Sequence, residues 1–169
     1  DQQWIYDPTP DFSYGLNIYL EYKNFDLTMF WQGVQGVDVI SDLKKETDLW
    51  SGLNIGFLNK GKRVLNAWSP TNPNSTIPAL SRSDTNNEKR VSTYFVENGS
   101  FLKLRNIQLG YNVPKTFAQK MKMERLRFYL SAQNVFTIKS KEFTGVDPEN
   151  ANYGYPIPMN ITFGINVGF

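Results

Sequence analysis

The chain has 169 residues with 18 basic and 16 acidic side chains, and this near balance gives no support for a nucleic-acid-binding protein. It contains no cysteine and no histidine, which excludes disulfides, thiolate or histidine-based catalysis and the commonest metal ligand. We therefore expect no enzyme activity, no cofactor and no metal ion. The chain starts at Asp1 without a secretory signal sequence, so we expect a processed or excised part of a longer protein.

The first predicted elements form a β-hairpin. In Phe12–Tyr22 every even position is apolar or aromatic, and most odd positions are polar or small. After a very short turn at Lys23–Asn24, the same alternation resumes in Phe25–Gln32. Two alternating runs joined by so short a turn are typical of an antiparallel strand pair.

Residues 35–100 break this alternation. Val37–Trp50 is compatible with a short helix capped by Ser41 or Asp42. Turn-forming residues and a polar, charged stretch follow. A segment of this length without regular strands usually serves a function or is disordered.

The strand pattern returns in the last part of the chain. The predicted elements are a strand at Phe101–Tyr111, a helical turn with a capping box at Thr116–Gln119, a strand at Arg125–Val135, a polar loop at 137–158 and a last strand at Ile161–Phe169. In the first of these strands the apolar positions change from even (Leu102, Leu104) to odd (Ile107, Leu109). A β-bulge near Asn106 would keep them on one face.

Strand length and connection length together predict a transmembrane β-barrel. The predicted strands have about 9 to 12 residues, whereas strands of soluble proteins average roughly 5 to 6. Short connections at 23–24 and 113–123 alternate with long ones at 35–100 and 137–158. Outer-membrane barrels have short periplasmic turns and long external loops. The aromatic residues expected at the two membrane interfaces are Tyr22, Phe25 and Tyr111 on one side, and Tyr14 and Trp31 on the other.

Six segments resemble the SusC/RagA family of TonB-dependent transporters. They are residues 10–17, 25–36, 66–74, 96–114, 126–136 and 145–149, in the family's order. The resemblance implies that residues 1–169 are the C-terminal portion of an antiparallel transmembrane β-barrel, with about five strands of a plugged barrel of the 22-stranded class. The plug domain is then absent from this chain.

The resemblance also implies a function, partners and a location. Members import oligosaccharides or peptides across the outer membrane of Gram-negative, Bacteroidetes-type bacteria. TonB supplies the energy through the N-terminal part, and a SusD-like surface lipoprotein acts as the partner. The remainder of the barrel, the plug and outer-membrane lipid would surround this segment, with the long loops extracellular and the C-terminus periplasmic. No nucleic-acid partner is expected.

Aromatic residues of the predicted loops are candidates for substrate contact. They are Trp50, Trp68, Tyr94, Tyr153 and Tyr155. Such rings stack on sugars or peptide side chains, but they also anchor long loops to each other or to a lipoprotein lid. The sequence alone leaves both interpretations open.

The last strand resembles the signal that barrel-assembly machinery reads. Its apolar ladder consists of Phe163, Ile165, Val167 and Phe169. The same ladder would also serve as the lipid-facing side of a strand, and the two roles are compatible.

Asp147 and Glu149, with Glu142 nearby, raise the question of a carboxylate pair or a cation site. Residues two apart on an extended chain share a face only in a regular strand, and Asp147-Pro148 is a typical turn sequence. We therefore expect a structural turn there.

The alternative to a transporter segment is a soluble β-sandwich module that binds glycans. Sandwich strands also alternate, but their apolar face packs against a second sheet. The direction of the apolar face, towards lipid or towards a sealed core, distinguishes the two.

Overall fold

A computed structural model of the chain describes residues 4–49, 59–81, 87, 90–152 and 154–169. The described regular elements are, in chain order, β1 (Phe12–Tyr22), β2 (Phe25–Gln35), β3 (Asp38–Ile40), α1 (Asp42–Asp48), a 3-10 helix (Lys62–Asn66), a second 3-10 helix (Thr93–Phe95), β4 (Val96–Asn98), β5 (Phe101–Asn112), α2 (Lys115–Lys120), β6 (Arg125–Lys139) and β7 (Asn160–Gly168). They fall into two compact units. A sheet unit comprises residues 10–36, 100–139 and 157–169, and a loop unit comprises residues 1–9, 37–99 and 140–156.

The sheet unit is one antiparallel sheet of five strands in the order β1-β2-β5-β6-β7. The predicted hairpin is confirmed: Tyr22 pairs with Phe25 across Lys23–Asn24, and Lys23 adopts a positive φ of 55°. Strands β5 and β6 form a second hairpin, and β7 pairs with β6. Long connections leave from one end of these strands and short ones from the other, as predicted.

The register places residues of similar polarity next to each other across all five strands. One such row consists of Leu20, Leu27, Leu109, Leu130 and Phe163. The neighbouring row on the opposite side of the sheet consists of Tyr19, Thr28, Gln108, Ser131 and Thr162. Because side chains of a strand alternate between its two sides, the sheet has one apolar face and one polar face.

The predicted bulge is confirmed in β5. Phe30 and Trp31 of β2 face Asn106 and Leu104, so Arg105 is the extra residue. The bulge turns Leu102 and Leu104 towards the same face as Ile107 and keeps Arg105 off that face. The irregularity continues into β6, where Asn134 has a positive φ of 54°. β6 continues to Lys139, beyond the predicted end at Val135.

The predicted helical turn after Pro114 exists as α2, but its predicted cap is wrong. Pro114 is the N-cap residue, and its carbonyl accepts from the N–H of Phe117 at 2.9 Å. Thr116 therefore lies inside the first turn and caps nothing. Proline fits this position because it supplies a carbonyl without needing an N–H partner. In the described ranges, neither helix has the length and apolarity needed to cross a membrane.

The loop unit has a small core of its own. Strands β3 and β4 pair over Asp38–Ile40 and Val96–Asn98, and α1 begins at the predicted cap, where Ser41 Oγ accepts from Lys44 N at 3.3 Å. Leu49, Phe95 and Phe143 are buried. Residues 35–100, predicted as one irregular loop, thus contain an ordered subdomain.

Candidate functional site

The apolar face of the sheet unit is exposed. Leu20 is 56% exposed, Leu130 49% and Phe163 65%, although all three belong to one continuous apolar row. Within the described part of the chain, no second sheet covers this face. A sandwich would seal it, so the observed exposure contradicts the soluble β-sandwich alternative and agrees with a lipid-facing sheet.

The polar face carries a buried ion pair that links three strands. Asp26 of β2 is only 6% exposed. Its carboxylate accepts from Arg127 Nη2 at 2.5 Å and from Arg127 Nε at 3.1 Å. Asn112 Nδ2 donates to the same carboxylate at 3.0 Å. Bidentate geometry with a third donor satisfies most of the capacity of this buried carboxylate.

Gly110 leaves the space that this ion pair occupies. It lies opposite Asp26 in β5, between the strands that carry the acid and the base. A Cβ atom at Gly110 would lie 2.3 Å from Arg127 Nη2 and 2.4 Å from Asp26 Oδ2. Because Gly110 has no side chain, Arg127 of β6 can reach across β5 to Asp26 of β2.

One buried carboxylate of the loop unit joins three chain segments. Glu97 of β4 is 3% exposed. It pairs with Lys44 Nζ of α1 at 3.0 Å and accepts from Thr144 N at 2.9 Å and Thr144 Oγ1 at 2.7 Å. These contacts fix the segment 140–156 against α1 and β4.

A second buried carboxylate, Asp48, holds the other side of α1. Arg63 Nε donates to it at 2.6 Å, and so does the hydroxyl of Tyr94 at 2.6 Å. Burial of the Tyr94 phenol, together with this hydrogen bond to Asp48, raises the pKa of Tyr94 well above its usual value. Tyr94, a predicted loop aromatic, is thus an anchor inside the loop unit.

The other loop aromatics have different positions. Trp68 is about half exposed and Tyr155 almost fully exposed. No ring contact joins the two within the described ranges. Trp50 and Tyr153, which the sequence also suggests, lie outside the described residues.

The Asp147 segment forms the predicted turn. Asp147 Oδ1 accepts from the N–H of Glu149 at 3.0 Å, and Asn150 N donates to the Asp147 carbonyl at 3.0 Å. No group of three or more potential metal-ligating side chains occurs among the described residues. The hydrogen bond from Glu149 N gives the Asp147 carboxylate a structural role in its own turn.

Three of the four apolar residues predicted for the last strand lie in β7 and project from one side, and Phe169 follows directly after the strand. Phe163, Ile165 and Val167 face Leu130, Phe128 and Leu126 of β6. The rings of Phe163 and Phe128 stack with centroids 6.4 Å apart. Phe163, Ile165, Val167 and Phe169 are all exposed, so this ladder continues the apolar face.

No family model matches the chain. Relatives, however, match over its whole length. It is 35% identical to TonB-dependent receptor P3 of Formosa agariphila over 100% of the chain, and 32% identical to TonB-dependent receptor SusC of Bacteroides thetaiotaomicron over 99%. The RagAB peptide importer in its closed-closed state has a similar structure, with 28% identity and a TM-score of 0.77 over 95% of the chain. This chain belongs to the TonB-dependent receptors of the SusC/RagA type.

The chain spans only a part of these SusC/RagA-type receptors. It covers 17% of receptor P3, 16% of SusC and 17% of the RagAB chain it matches. The five-stranded sheet is accordingly a partial, unclosed piece of a receptor barrel. The predictions of the family and of an all-β barrel segment are confirmed.

Sequence reasoning missed three of the buried carboxylates of this receptor segment. Asp26, Asp48 and Glu97 each contact residues that are far away in the chain, with separations of 101, 46 and 47 residues to Arg127, Tyr94 and Thr144. A local signal existed only for Asp26 and Arg127, since both occupy polar positions of alternating strands. Their pairing required the strand order, which alternation does not specify.

Proposed function

We propose that the chain is the C-terminal portion of the barrel of a TonB-dependent outer-membrane importer. The observation that carries this proposal is the apolar face, which continues across five strands and is exposed, opposite a polar face suited to a water-filled lumen. The named relatives are receptors, and RagAB is a peptide importer. In this proposal the plug and the TonB-contacting part belong to the remainder of the protein.

We further propose an orientation. The loop unit is extracellular, and the short connections at Lys23–Asn24 and around α2 are periplasmic, because outer-membrane barrels place their long loops outside. A SusD-like lipoprotein would cover the extracellular side, as the two-component name RagAB suggests for that relative. The cargo would be an oligosaccharide or a peptide.

Cysteine labelling of the full-length receptor tests the orientation. The chain has no native cysteine, so introduced ones are unique within it. Thr76→Cys in the loop unit and Thr116→Cys in α2 are a matched pair of exposed threonines. A membrane-impermeant maleimide should label the first in intact cells and the second only after the outer membrane is opened. The reverse pattern would refute the orientation.

Uptake by a deletion strain tests the import function. Cells that lack the receptor should lose growth on either an oligosaccharide or a peptide mixture, and the full-length gene should restore it. The purified receptor should need detergent and migrate faster on gels before boiling than after. A receptor that is soluble without detergent would overturn the membrane proposal.

Trp68 and Tyr155 remain proposed cargo-contacting or lid-contacting residues. The backbone of Trp68 is fixed by a hydrogen bond to the Ile77 carbonyl at 2.9 Å, while its ring is about half exposed. Trp68→Ala and Tyr155→Ala should raise the cargo concentration for half-maximal uptake without reducing the amount of folded receptor. The half-buried anchor Tyr94 is the contrasting position, since its loss should affect folding of the loop unit.

A further inference from the structure

We infer that the short-connection end of the sheet binds the phosphate groups of phospholipids in the leaflet that it faces. The two short connections, Lys23–Asn24 and residues 113–124, carry four lysines and a single carboxylate, Glu124. Arg125 follows directly at the start of β6. We call these basic residues the basic rim: Lys23, Lys115, Lys120, Lys122 and Arg125.

Every member of the basic rim is exposed. None of the five forms an ion pair with a carboxylate within the described part of the chain, in contrast to Lys44 and Arg127. Lys115 and Lys122 line an open cleft of about 520 Å³ together with Gln119, Met123 and Glu124. A cleft with two lysines and an amide offers donors to an anionic group.

Apolar and aromatic residues border the basic rim on the same end of the strands. Tyr22, Phe25, Phe117 and Met121 are all at least 49% exposed. The Phe25 and Tyr111 rings pack with centroids 4.8 Å apart. Lys23 Nζ lies 5.2 Å from the centre of the Tyr22 ring, and Lys120 Nζ lies 5.6 Å from that of Phe117.

The apolar face, the aromatic border and the basic rim follow one another in the same order as the layers of a lipid interface. Exposed aromatics occupy the headgroup level of membrane proteins, and lysines beyond them meet the phosphates. The apolar face of the sheet leads directly into this aromatic border, so acyl chains and headgroup of one lipid would meet continuous matching surfaces. The excess of positive charge selects anionic headgroups over zwitterionic ones.

Native mass spectrometry of the full-length receptor tests this inference, which rests on the proposed membrane function. The receptor is equilibrated with equal amounts of phosphatidylglycerol and phosphatidylcholine, and the retained lipids are counted. We expect wild type to be enriched in phosphatidylglycerol. Each neutralised lysine should reduce the preference by up to about five-fold, and raising the salt concentration should also reduce it.

The decisive comparison uses two variants with equal change in charge. Lys115→Gln/Lys122→Gln removes both lysines of the cleft and should lose the preference. Lys62→Gln/Lys141→Gln removes two exposed lysines of the loop unit and should keep it. Lys115→Arg/Lys122→Arg retains the charge and should also keep it, which separates charge from disturbance of the turn.

Two results would overturn the inference: no preference in wild type, or equal loss in both glutamine variants. Heat-modifiable migration is recorded for every sample. If wild type migrates as a folded barrel but shows no lipid preference, the basic rim has no such role and the importer proposal stands. If wild type shows no heat-modifiable form, the importer proposal itself fails.

Discussion

At the residue scale, the ion pair of the polar face depends on Gly110, which has no side chain and leaves space between Asp26 and Arg127. Gly110→Ala would place a methyl group at 2.3 Å from Arg127 Nη2, so the guanidinium must move away from Asp26. A buried carboxylate that loses its partner costs about 1 to 3 kcal/mol. We expect the variant receptor to lose its heat-modifiable form at a lower temperature than wild type, as measured by gel migration after graded heating.

Gly154→Ala is the control for that variant. A Cβ atom at Gly154 meets no atom within 4 Å, so this change should leave the transition temperature unchanged. If both alanine variants behave alike, the space at Gly110 is not what allows the ion pair to form.

The Tyr94 hydroxyl gives the loop unit a predicted pH dependence. Its pKa is raised in the folded state, so its contribution to stability is complete below the ordinary tyrosine pKa of about 10 and is lost as the pH rises through the raised value. We expect protease cleavage of the loop unit in the full-length receptor to accelerate above about pH 10. Tyr94→Phe should increase cleavage at neutral pH, consistent with loss of about 1 to 3 kcal/mol, and should weaken the pH dependence.

Tyr155→Phe provides the comparison, because Tyr155 is 95% exposed and loss of its hydroxyl should not change stability. A wild-type cleavage profile in Tyr94→Phe would show that the bond to Asp48 does not hold the loop unit together.

At the scale of elements, the bulge in β5 decides which charges face lipid. Deleting Arg105 removes the extra residue and shifts the register of one half of the strand by one position. Lys103 would then exchange faces with Leu102 and Leu104, which takes the buried Lys103 and Leu104 out of their packed positions. The lysine would then face lipid next to the predicted interface residue Trp31, where its charge costs about 0 to 1 kcal/mol more. We expect the deletion to reduce the amount of folded receptor in the outer membrane sharply.

Arg105→Ala separates the bulge from the side chain. This variant keeps the extra residue and removes the side-chain contacts of Arg105, including the 2.7 Å hydrogen bond from its Nε to Gln32. It should therefore assemble nearly as well as wild type. Equal defects in the deletion and the alanine variant would mean that the arginine, and not the register, matters.

The strands could be predicted from the sequence because alternation is local information. The bounds of β1 and the two-residue turn after it follow directly from the apolar pattern, and the change of phase between Leu104 and Ile107 located the bulge to within a residue of Arg105. The cap of α2 was wrong because Thr116-Phe-Ala-Gln119 matches a capping pattern, while Pro114 already starts the helix. Local patterns compete, and the fixed φ of proline prevails.

The interior of the loop unit could not be predicted for a different reason. Residues 35–100 lack periodicity because their order comes from buried ion pairs between distant segments, such as Glu97 with Lys44 and Thr144. In the sequence, each of these residues looks like an ordinary charged or polar residue. Only the strand pairing of β3 with β4 and the return of the chain at 140–156 bring them together.

At the scale of the whole molecule, the open sheet requires the rest of the receptor. Each of the outer strands, β1 and β7, has a neighbour on one side only within the described chain. Unpaired strand edges next to an exposed apolar face are unstable in water and in lipid. The chain covers 17% of receptor P3, so most of that relative's length lies outside the matched segment.

The exposed ladder of the last strand is the final element whose role can be tested. Phe163, Ile165, Val167 and Phe169 remain proposed as a barrel-assembly signal. Phe169→Ala should slow the appearance of heat-modifiable receptor in a pulse-chase experiment, while receptor that has already folded keeps nearly the wild-type transition temperature. Phe169→Tyr retains an aromatic ring and should assemble at nearly the normal rate. If Phe169→Ala instead lowers the transition temperature and leaves the rate unchanged, the ring contributes only lipid contact, worth at most about 1.5 to 3 kcal/mol.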